Sequence, residues 1–203
     1  GTARGVRGLN NAGMLPTRNF QEGTFESFEA ITAESMIDSI LTGRGTCYRC
    51  YISCKREVSL ETPYKVDPRY GGPEFETLGA FGSMCGISDL PAIAYANQIC
   101  QEYAIDTITT GVSIAFSMEC YERGLLTEEQ TGGIELRFGD SEAMLELVKA
   151  IVERKGYGNI LAEGILAAVD FIGEESRPYA MQVKGQPLPI HEPRAKTGVG
   201  LAY

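Results

Sequence analysis

The sequence predicts an all-α fold: a multihelical domain with irregular Gly/Pro-rich loops and little sheet. Three observations carry that expectation. Between residues 33 and 173, apolar side chains recur at three- and four-residue spacing in one segment after another, the period of a helix face. Thr, Asp or Asn stands just ahead of most of these segments and Gly just behind, which is the punctuation of helix starts and stops. Period-two alternation, the mark of a half-buried strand, is confined to two short runs. A chain of 203 residues with 43% hydrophobic and 22% charged side chains can bury a sizeable core.

Residues 1–25 are rich in Gly, Asn, Arg and Thr and have no period; they read as part of something longer rather than as a domain's natural beginning. Thr32-Ala-Glu-Ser opens the first helix, with Ile37, Ile40 and Leu41 on one face and Gly43 as its stop. A polar cysteine-bearing loop follows. Glu57-Val-Ser-Leu-Glu61 alternates weakly and is either a short strand or extended chain. Gly72-Pro73-Glu74 starts the second helix, with proline at its first position and acids in its first turn, where the helix dipole favours them. That helix holds Glu76, Leu78 and Phe81 and ends near Cys85-Gly86.

Ser88-Asp89 caps a third helix, with Ile93, Ala96, Asn97 and Cys100 on one side. Asp106 caps a fourth, stopped by Gly124; its small residues Gly111, Ser113, Ala115 and Ser117 predict a central helix approached closely from several sides. The loop over 127–139 holds one alternating run, Ile134-Glu-Leu-Arg-Phe138. Asp140-Ser141 opens a fifth helix through Leu145, Val148, Ile151 and Val152, closed by Gly156. Asn159 caps a sixth through Leu161, Ile165, Val169 and Ile172, closed by Gly173. The rest is Pro-rich and irregular. We therefore expect a helical domain over 1–174 that carries the cysteine loop, and over 175–203 an irregular tail or the start of a second helical domain.

The chemistry centres on Gly45-Thr-Cys-Tyr-Arg-Cys-Tyr-Ile-Ser-Cys-Lys-Arg56. Cys47, Cys50 and Cys54 are spaced C-x2-C-x3-C, which lets neighbouring sulfurs of one loop converge on a metal centre, iron–sulfur or zinc. We place iron–sulfur ahead of zinc. The order is the reverse of the C-x3-C-x2-C loop of radical enzymes that cleave S-adenosylmethionine. The competing reading, three buried core cysteines, is disfavoured by Tyr48, Arg49, Tyr51 and Lys55, which make the loop polar. Three thiolates leave one ligand position to be filled from elsewhere. Cys85, Cys100 and Cys120 lie in apolar or helical settings, so we expect thiols in a reducing cytoplasm or an anaerobic cell rather than a disulfide framework. The single histidine, His191, cannot build a multi-histidine metal site and is expected to be neutral and structural.

A net charge of −9 without a basic stripe argues against nucleic acid and anionic membranes. No apolar run approaches the roughly 20 residues that span a bilayer.

The chain resembles the tungsten-containing aldehyde:ferredoxin oxidoreductase family, specifically its helical portion. The resemblance rests on Leu15-Pro-Thr-Arg-Asn-Phe20, the cysteine loop, Tyr70-Gly-Gly-Pro-Glu-Phe-Glu-Thr-Leu78, Asp106-Thr-Ile-Thr-Thr-Gly111, Ile114-Ala-Phe-Ser-Met-Glu119, Phe138-Gly-Asp140, Leu161-Ala-Glu-Gly164 and Gly198-Val-Gly-Leu-Ala-Tyr203, in the family's order along nearly the whole chain. It implies the central part of an enzyme with further domains, oxidising aldehydes to carboxylic acids and passing electrons to ferredoxin. It implies a [4Fe–4S] cluster on Cys47, Cys50 and Cys54 with its fourth cysteine outside these residues. It also implies a tungsten or molybdenum bis-molybdopterin centre. Glu76 resembles the family's glutamate beside the metal, suited to moving protons. Asp106, and Glu102 in the same Gln101-Glu-Tyr-Ala-Ile-Asp106 segment, resemble pterin contacts. Here Gln101 and Ala104 replace the usual Asp and Gly, and Ala104 visits positive φ less freely. Lys184-Gly185 and Pro193-Arg194 match a further segment to which no chemistry is assigned. A homo-oligomer is compatible with the resemblance. Two other readings stay open: another reaction of the same family, such as aromatic thioester reduction, and a non-enzymatic helical module with a structural zinc. The 203-residue piece alone is expected to be inactive and poor at holding its cluster.

Overall fold

The computed structural model describes residues 1–203. The fold is mainly helical, with ten α-helices and two antiparallel sheets of two strands each. In order the helices are α1 Gly5–Asn11, α2 Ala33–Ser39, α3 Phe75–Phe81, α4 Leu90–Tyr103, α5 Thr107–Glu122, α6 Glu128–Thr131, α7 Ser141–Glu153, α8 Gly156–Leu161, α9 Ile165–Ile172 and α10 Thr197–Ala202. Strands β1 Leu41–Gly45 and β2 Lys55–Val58 form one hairpin, and β3 Gln182–Val183 and β4 Gln186–Pro187 another.

Helix α5 is the axis of the core. Every residue from Thr110 to Cys120 is buried, as expected of a helix that is apolar or small on all sides. Gly111 lets it close on α3: a β-carbon there would lie 2.7 Å from Ala80. Helices α3 and α7 pack on α5, α4 packs on α7, and α7 on α8. The expected caps are in place. Side chains of Thr32, Asp89, Asp106 and Asp140 each accept a hydrogen bond from a backbone N–H in the first turn of α2, α4, α5 and α7.

Several boundaries differ from the sequence reading. Residues 5–11 form α1, a helix too short and Gly-rich to show a period. Helix α2 ends at Ser39; Leu41 and Gly43 belong to β1, and Ile37 is 56% exposed rather than buried. Cross-strand pairing of Gly45 with Lys55 and Arg44 with Arg56 claims those residues for the hairpin. Pro73 precedes helix α3, whose first residue is Phe75 with Glu74 as N-cap. The run 134–138 pairs with no strand. The single helix expected after Asn159 is two, because Gly164 at φ 103° breaks the path between α8 and α9. Helix α7 ends on Arg154, in the left-handed region, and Gly156 begins α8 instead of closing α7.

The N- and C-terminal segments are tied to α5 by one buried knot. Arg18, Asn19 and Phe20 all have positive φ, a costly run for non-glycine residues. It is held because Arg18 and Asn19 donate backbone N–H bonds to Ser83 and Met84. The Asn19 carboxamide donates to Glu119 on α5 at 2.6 Å and to the Tyr179 carbonyl at 2.8 Å. Glu119 also accepts from Arg123, whose guanidinium covers the Tyr179 ring.

Candidate functional site

The cysteine loop is the turn of the β1–β2 hairpin, residues 46–54. Within it the Cys50 N–H donates to the Cys47 carbonyl at 3.0 Å, an i to i+3 turn that draws the first two cysteines together. The Thr46 hydroxyl donates to the Cys50 carbonyl at 2.6 Å. Arg49 and Ser53 at positive φ bend the chain around the rest of the loop. All six cysteines are free thiols; Cys47 is exposed, and Cys50 and Cys54 are half-buried. Cys47 and Cys54 share the wall of a cleft of about 460 Å³, with Lys55, Arg69, Glu74, Asn97 and Gln101 among its other walls. Cys50 lines a separate hollow with Thr46, Arg49 and Tyr51. The three sulfurs do not stand as a preformed metal site, since no three His, Cys, Asp or Glu side chains gather closely enough to hold an ion. The donor set nevertheless fits a sulfur-ligated centre: three unpaired thiols on one turn, two of them in the wall of one cleft.

The hairpin also fixes the start of α3. Gly72 donates its N–H to the Arg56 carbonyl at 2.6 Å, and a side chain on Gly72 would meet Val58 at 2.7 Å. Only glycine lets this strap lie flat on β2. The Thr2 side chain then caps α3 from the N-terminal segment: its hydroxyl accepts from the Phe75 N–H at 2.9 Å, while Glu74 accepts from the Thr2 N–H at 3.2 Å.

Glu76, in the first turn of α3, is held from the far end of the chain. One carboxylate oxygen accepts the Ile190 N–H at 2.8 Å; the other lies 3.0 Å from Nε2 of His191. Nδ1 of His191 faces the Lys196 ammonium at 3.5 Å. An ammonium only donates, so this contact leaves the imidazole proton on Nε2, pointing at Glu76. The Phe75 ring stacks on the imidazole, with centroids 5.7 Å apart. Glu76 and His191 line a cavity of about 500 Å³ with Thr2, Leu9, Glu74 and Phe75. Glu74 lines both this cavity and the cysteine cleft, so the two adjoin across one side chain.

The structure therefore pairs Glu76 with His191, which the sequence reading treats as structural. No local signal announces that pairing; Ile190, next to His191, and Glu76 are 114 positions apart. Asp106 is engaged as the cap of α5, accepting from the Thr109 N–H at 2.6 Å, and lines a separate cavity of about 360 Å³ against α7 and α8. Glu102 accepts from Gln98 at 2.7 Å on the exposed side of α4 and lines none of these three spaces. Its neighbour Gln101 does face the cysteine cleft. Ala104 adopts the left-handed geometry (φ 54°, ψ 41°) that a glycine would favour, so its substitution leaves the turn intact at some cost in strain.

The geometry defines a mainly helical module that carries a thiol-bearing hairpin beside a carboxylate–imidazole cavity. The chain belongs to the aldehyde ferredoxin oxidoreductase family: the model for aldehyde ferredoxin oxidoreductase, domains 2 & 3, matches residues 1–203. The chain is similar to the tungsten-containing aldehyde ferredoxin oxidoreductase of Pyrococcus abyssi, 41% identical over 100% of this chain and 33% of that protein. The protein of the same name from Thermococcus kodakarensis is 38% identical over the same shares. The chain thus spans about a third of the length of the curated relatives it matches. Its fold is similar to that of a chain in the active-site complex of a benzoyl-coenzyme A reductase with 1,5-dienoyl-CoA: TM-score 0.71 and 23% identity, over 93% of this chain and 28% of that one. No helix is long and apolar enough to cross a membrane.

Proposed function

We propose that this chain is the thiol- and carboxylate-bearing part of an enzyme that oxidises an aldehyde and water to a carboxylic acid, delivering two electrons through an iron–sulfur cluster to ferredoxin. The observation that carries the proposal is the Glu76–His191 pair at 3.0 Å in a cavity adjoining the cysteine cleft. Aldehyde oxidation by water releases protons along with electrons, and the two neighbouring spaces hold groups suited to each. A tungstopterin or molybdopterin centre supplies the two-electron oxidation when bound. In this reading Glu76 takes a proton at its carboxylate. The Ile190 N–H holds one oxygen in place, which orients the other toward the cavity and His191. The Nε2–H of His191 steadies that carboxylate in its proton-accepting form. Phe75 and Leu9 give the cavity an apolar wall that suits the carbon chain of an aldehyde.

Cys47, Cys50 and Cys54 would hold the cluster, with Lys55 and Arg69 offering positive charge to an anionic sulfur centre. Asp106 and Glu102 remain proposed pterin contacts. The curated relatives are named for the aldehyde reaction, and the likeness to the benzoyl-coenzyme A reductase chain is one of fold.

The test is made on the protein that carries this chain, prepared without oxygen. Glu76→Gln is expected to lower kcat for aldehyde-dependent viologen reduction by about 10²–10⁴, with circular dichroism unchanged. His191→Gln, which keeps a donor but not the imidazole, is expected to fall between it and wild type. Activity within twofold of wild type in Glu76→Gln refutes the proton role. Stoichiometric zinc without acid-labile sulfide refutes the cluster.

A further inference from the structure

The cysteine hairpin carries a charge that the rest of the chain does not. From Leu41 to Arg56 it holds Arg44, Arg49, Lys55 and Arg56 and no Asp or Glu, in a chain of net charge −9. Elsewhere basic side chains are often neutralised: nine of the 18 form ion pairs with carboxylates, and none of those nine lies in the hairpin. Arg44 and Arg49 are exposed, and the Arg49 guanidinium lies 5.2 Å from the centre of the Tyr48 ring. The tip of the hairpin is also apolar and bare. Tyr48 is 88% exposed, Tyr51 100% and Ile52 75%. Single exposed apolar residues are ordinary, but a cluster of them rimmed by charge marks a contact surface. Tyrosine and arginine are the residues that such surfaces favour. The cluster stands on the thiols: Arg49 and Tyr51 line the hollow of Cys50, and Cys47, next to Tyr48, is exposed.

We propose, resting on the iron–sulfur reading of Cys47, Cys50 and Cys54, that the exposed face of residues 44–52 is the docking surface for an acidic electron-acceptor protein. Arg44 and Arg49 form its charged rim, and Tyr48, Tyr51 and Ile52 its apolar centre. An acceptor protein has to bring its own redox centre close to the cluster, and this face belongs to the same turn as the three cysteines. Complementary charge steers the encounter, and a few aromatic contacts suffice for the small interface of a transient electron-transfer pair. Permanent burial of these cations against another domain would cost desolvation unless each met a carboxylate, whereas a wet, transient rim has no such cost. A long polyanion would meet the negative remainder of the chain, so a small acidic protein is the better fit.

The experiment uses the full-length enzyme that carries this chain, prepared without oxygen, with a purified ferredoxin of net negative charge as the probe. Arg44→Glu/Arg49→Glu, Arg44→Lys/Arg49→Lys and Tyr51→Ser are compared with wild type. Charge reversal is expected to raise KM for ferredoxin by about tenfold or more at low salt, and Tyr51→Ser by a smaller factor. Turnover with saturating benzyl viologen, and iron and sulfide content, are expected to stay within about twofold of wild type, since none of these residues lines the Glu76 cavity. Raising the salt from about 20 to 200 mM is expected to weaken ferredoxin binding to wild type and to the lysine variant, but not to the reversal variant. An unchanged KM and salt dependence in the reversal variant overturns the docking surface. So does a loss of viologen turnover or of iron in either double variant, which puts the hairpin tip against another part of the enzyme. Direct ferredoxin binding keeps the two readings apart. A wild type that holds no iron or sulfide overturns the cluster, yet a Kd weakened about tenfold by charge reversal still upholds the surface, and an equal Kd overturns it.

Discussion

At the scale of single residues, the six cysteines divide by burial. Desolvation pushes the thiols of Cys100 and Cys120 up to about 12 and that of Cys85 upward as well, while the three loop cysteines reach solvent or the cleft. The thiolate is the reactive form. In metal-free native protein at pH 8, a thiol reagent is therefore expected to titrate three groups quickly in these residues and all six only after denaturation. Fast labelling of Cys85, Cys100 or Cys120 in the folded chain would contradict the packing described. Ala104 offers a second test. Its left-handed backbone costs about 1–2 kcal/mol, and glycine returns about 0.4–1 kcal/mol of that as unfolded-chain entropy. Ala104→Gly is expected to stabilise the chain by up to about 1 kcal/mol, read as a Tm increase of a few degrees. A decrease would mean that the methyl group packs usefully despite being exposed.

At the scale of elements, α3 is set from both sides by contacts that only small residues permit. On one side Gly111 of α5 admits Ala80; on the other Gly79 lies against Ile190, where a β-carbon would come within 2.4 Å of the isoleucine side chain. Ile190 is also the residue whose N–H holds Glu76. Gly79→Ala is thus expected to cost about 1–3 kcal/mol by overpacking. It is also expected to lower kcat, by pushing the 190–191 segment away from the carboxylate. Gly8→Ala in α1, with open space around it, is the control: it is expected to leave kcat unchanged and to stabilise the chain by about 0.5–1 kcal/mol. Equal turnover in Gly79→Ala and wild type would show that the Ile190 bond has no part in placing Glu76.

At the scale of the whole molecule, the segment after residue 179 is what completes the candidate site, and an ion pair between a buried carboxylate and an exposed arginine helps to dock it. Glu192 is 2% exposed; its carboxylate binds the Arg194 guanidinium at 2.7 Å, and Arg194 in turn donates to the Phe20 carbonyl at 2.7 Å. Burial pushes the Glu192 carboxyl upward, but the side-chain and backbone bonds from Arg194 outweigh it and hold the group below its ordinary 4.5. A lowered carboxyl pKa contributes stability that is complete above about 4.5 and fades as the pH drops through the lower folded value. Glu192→Gln is therefore expected to melt below wild type at pH 7, with a gap that narrows as the pH falls under about 4.5. A gap constant from pH 7 to 3 would remove Glu192 from the docking. The same segment brings His191 to Glu76 and Tyr179 to the Asn19–Glu119 knot, so loosening it should disturb the cavity as well as the core.

The helical class, the caps at Thr32, Asp89, Asp106 and Asp140, the central place of α5 and the family are all legible in the unfolded chain. Each is written in residues that lie close together, so spacing and local hydrogen bonding suffice to read them. The thiol cluster is legible for the same reason, because its three members share one turn. The remainder exists only in the folded molecule. Cross-strand pairing makes Leu41–Gly45 strand where the local pattern reads as helix. Packing forces Arg18, Phe20 and Ala104 into left-handed geometry that their residue types disfavour. Folding of the Pro-rich tail places His191 on Glu76, and the seating of α4 puts Asn97 in the wall that Cys47 and Cys54 share. Those contacts join residues far apart in the chain, and no local propensity encodes the closing of a loop that long. They form only when the helical core supplies enough buried apolar surface to offset the entropy of closure.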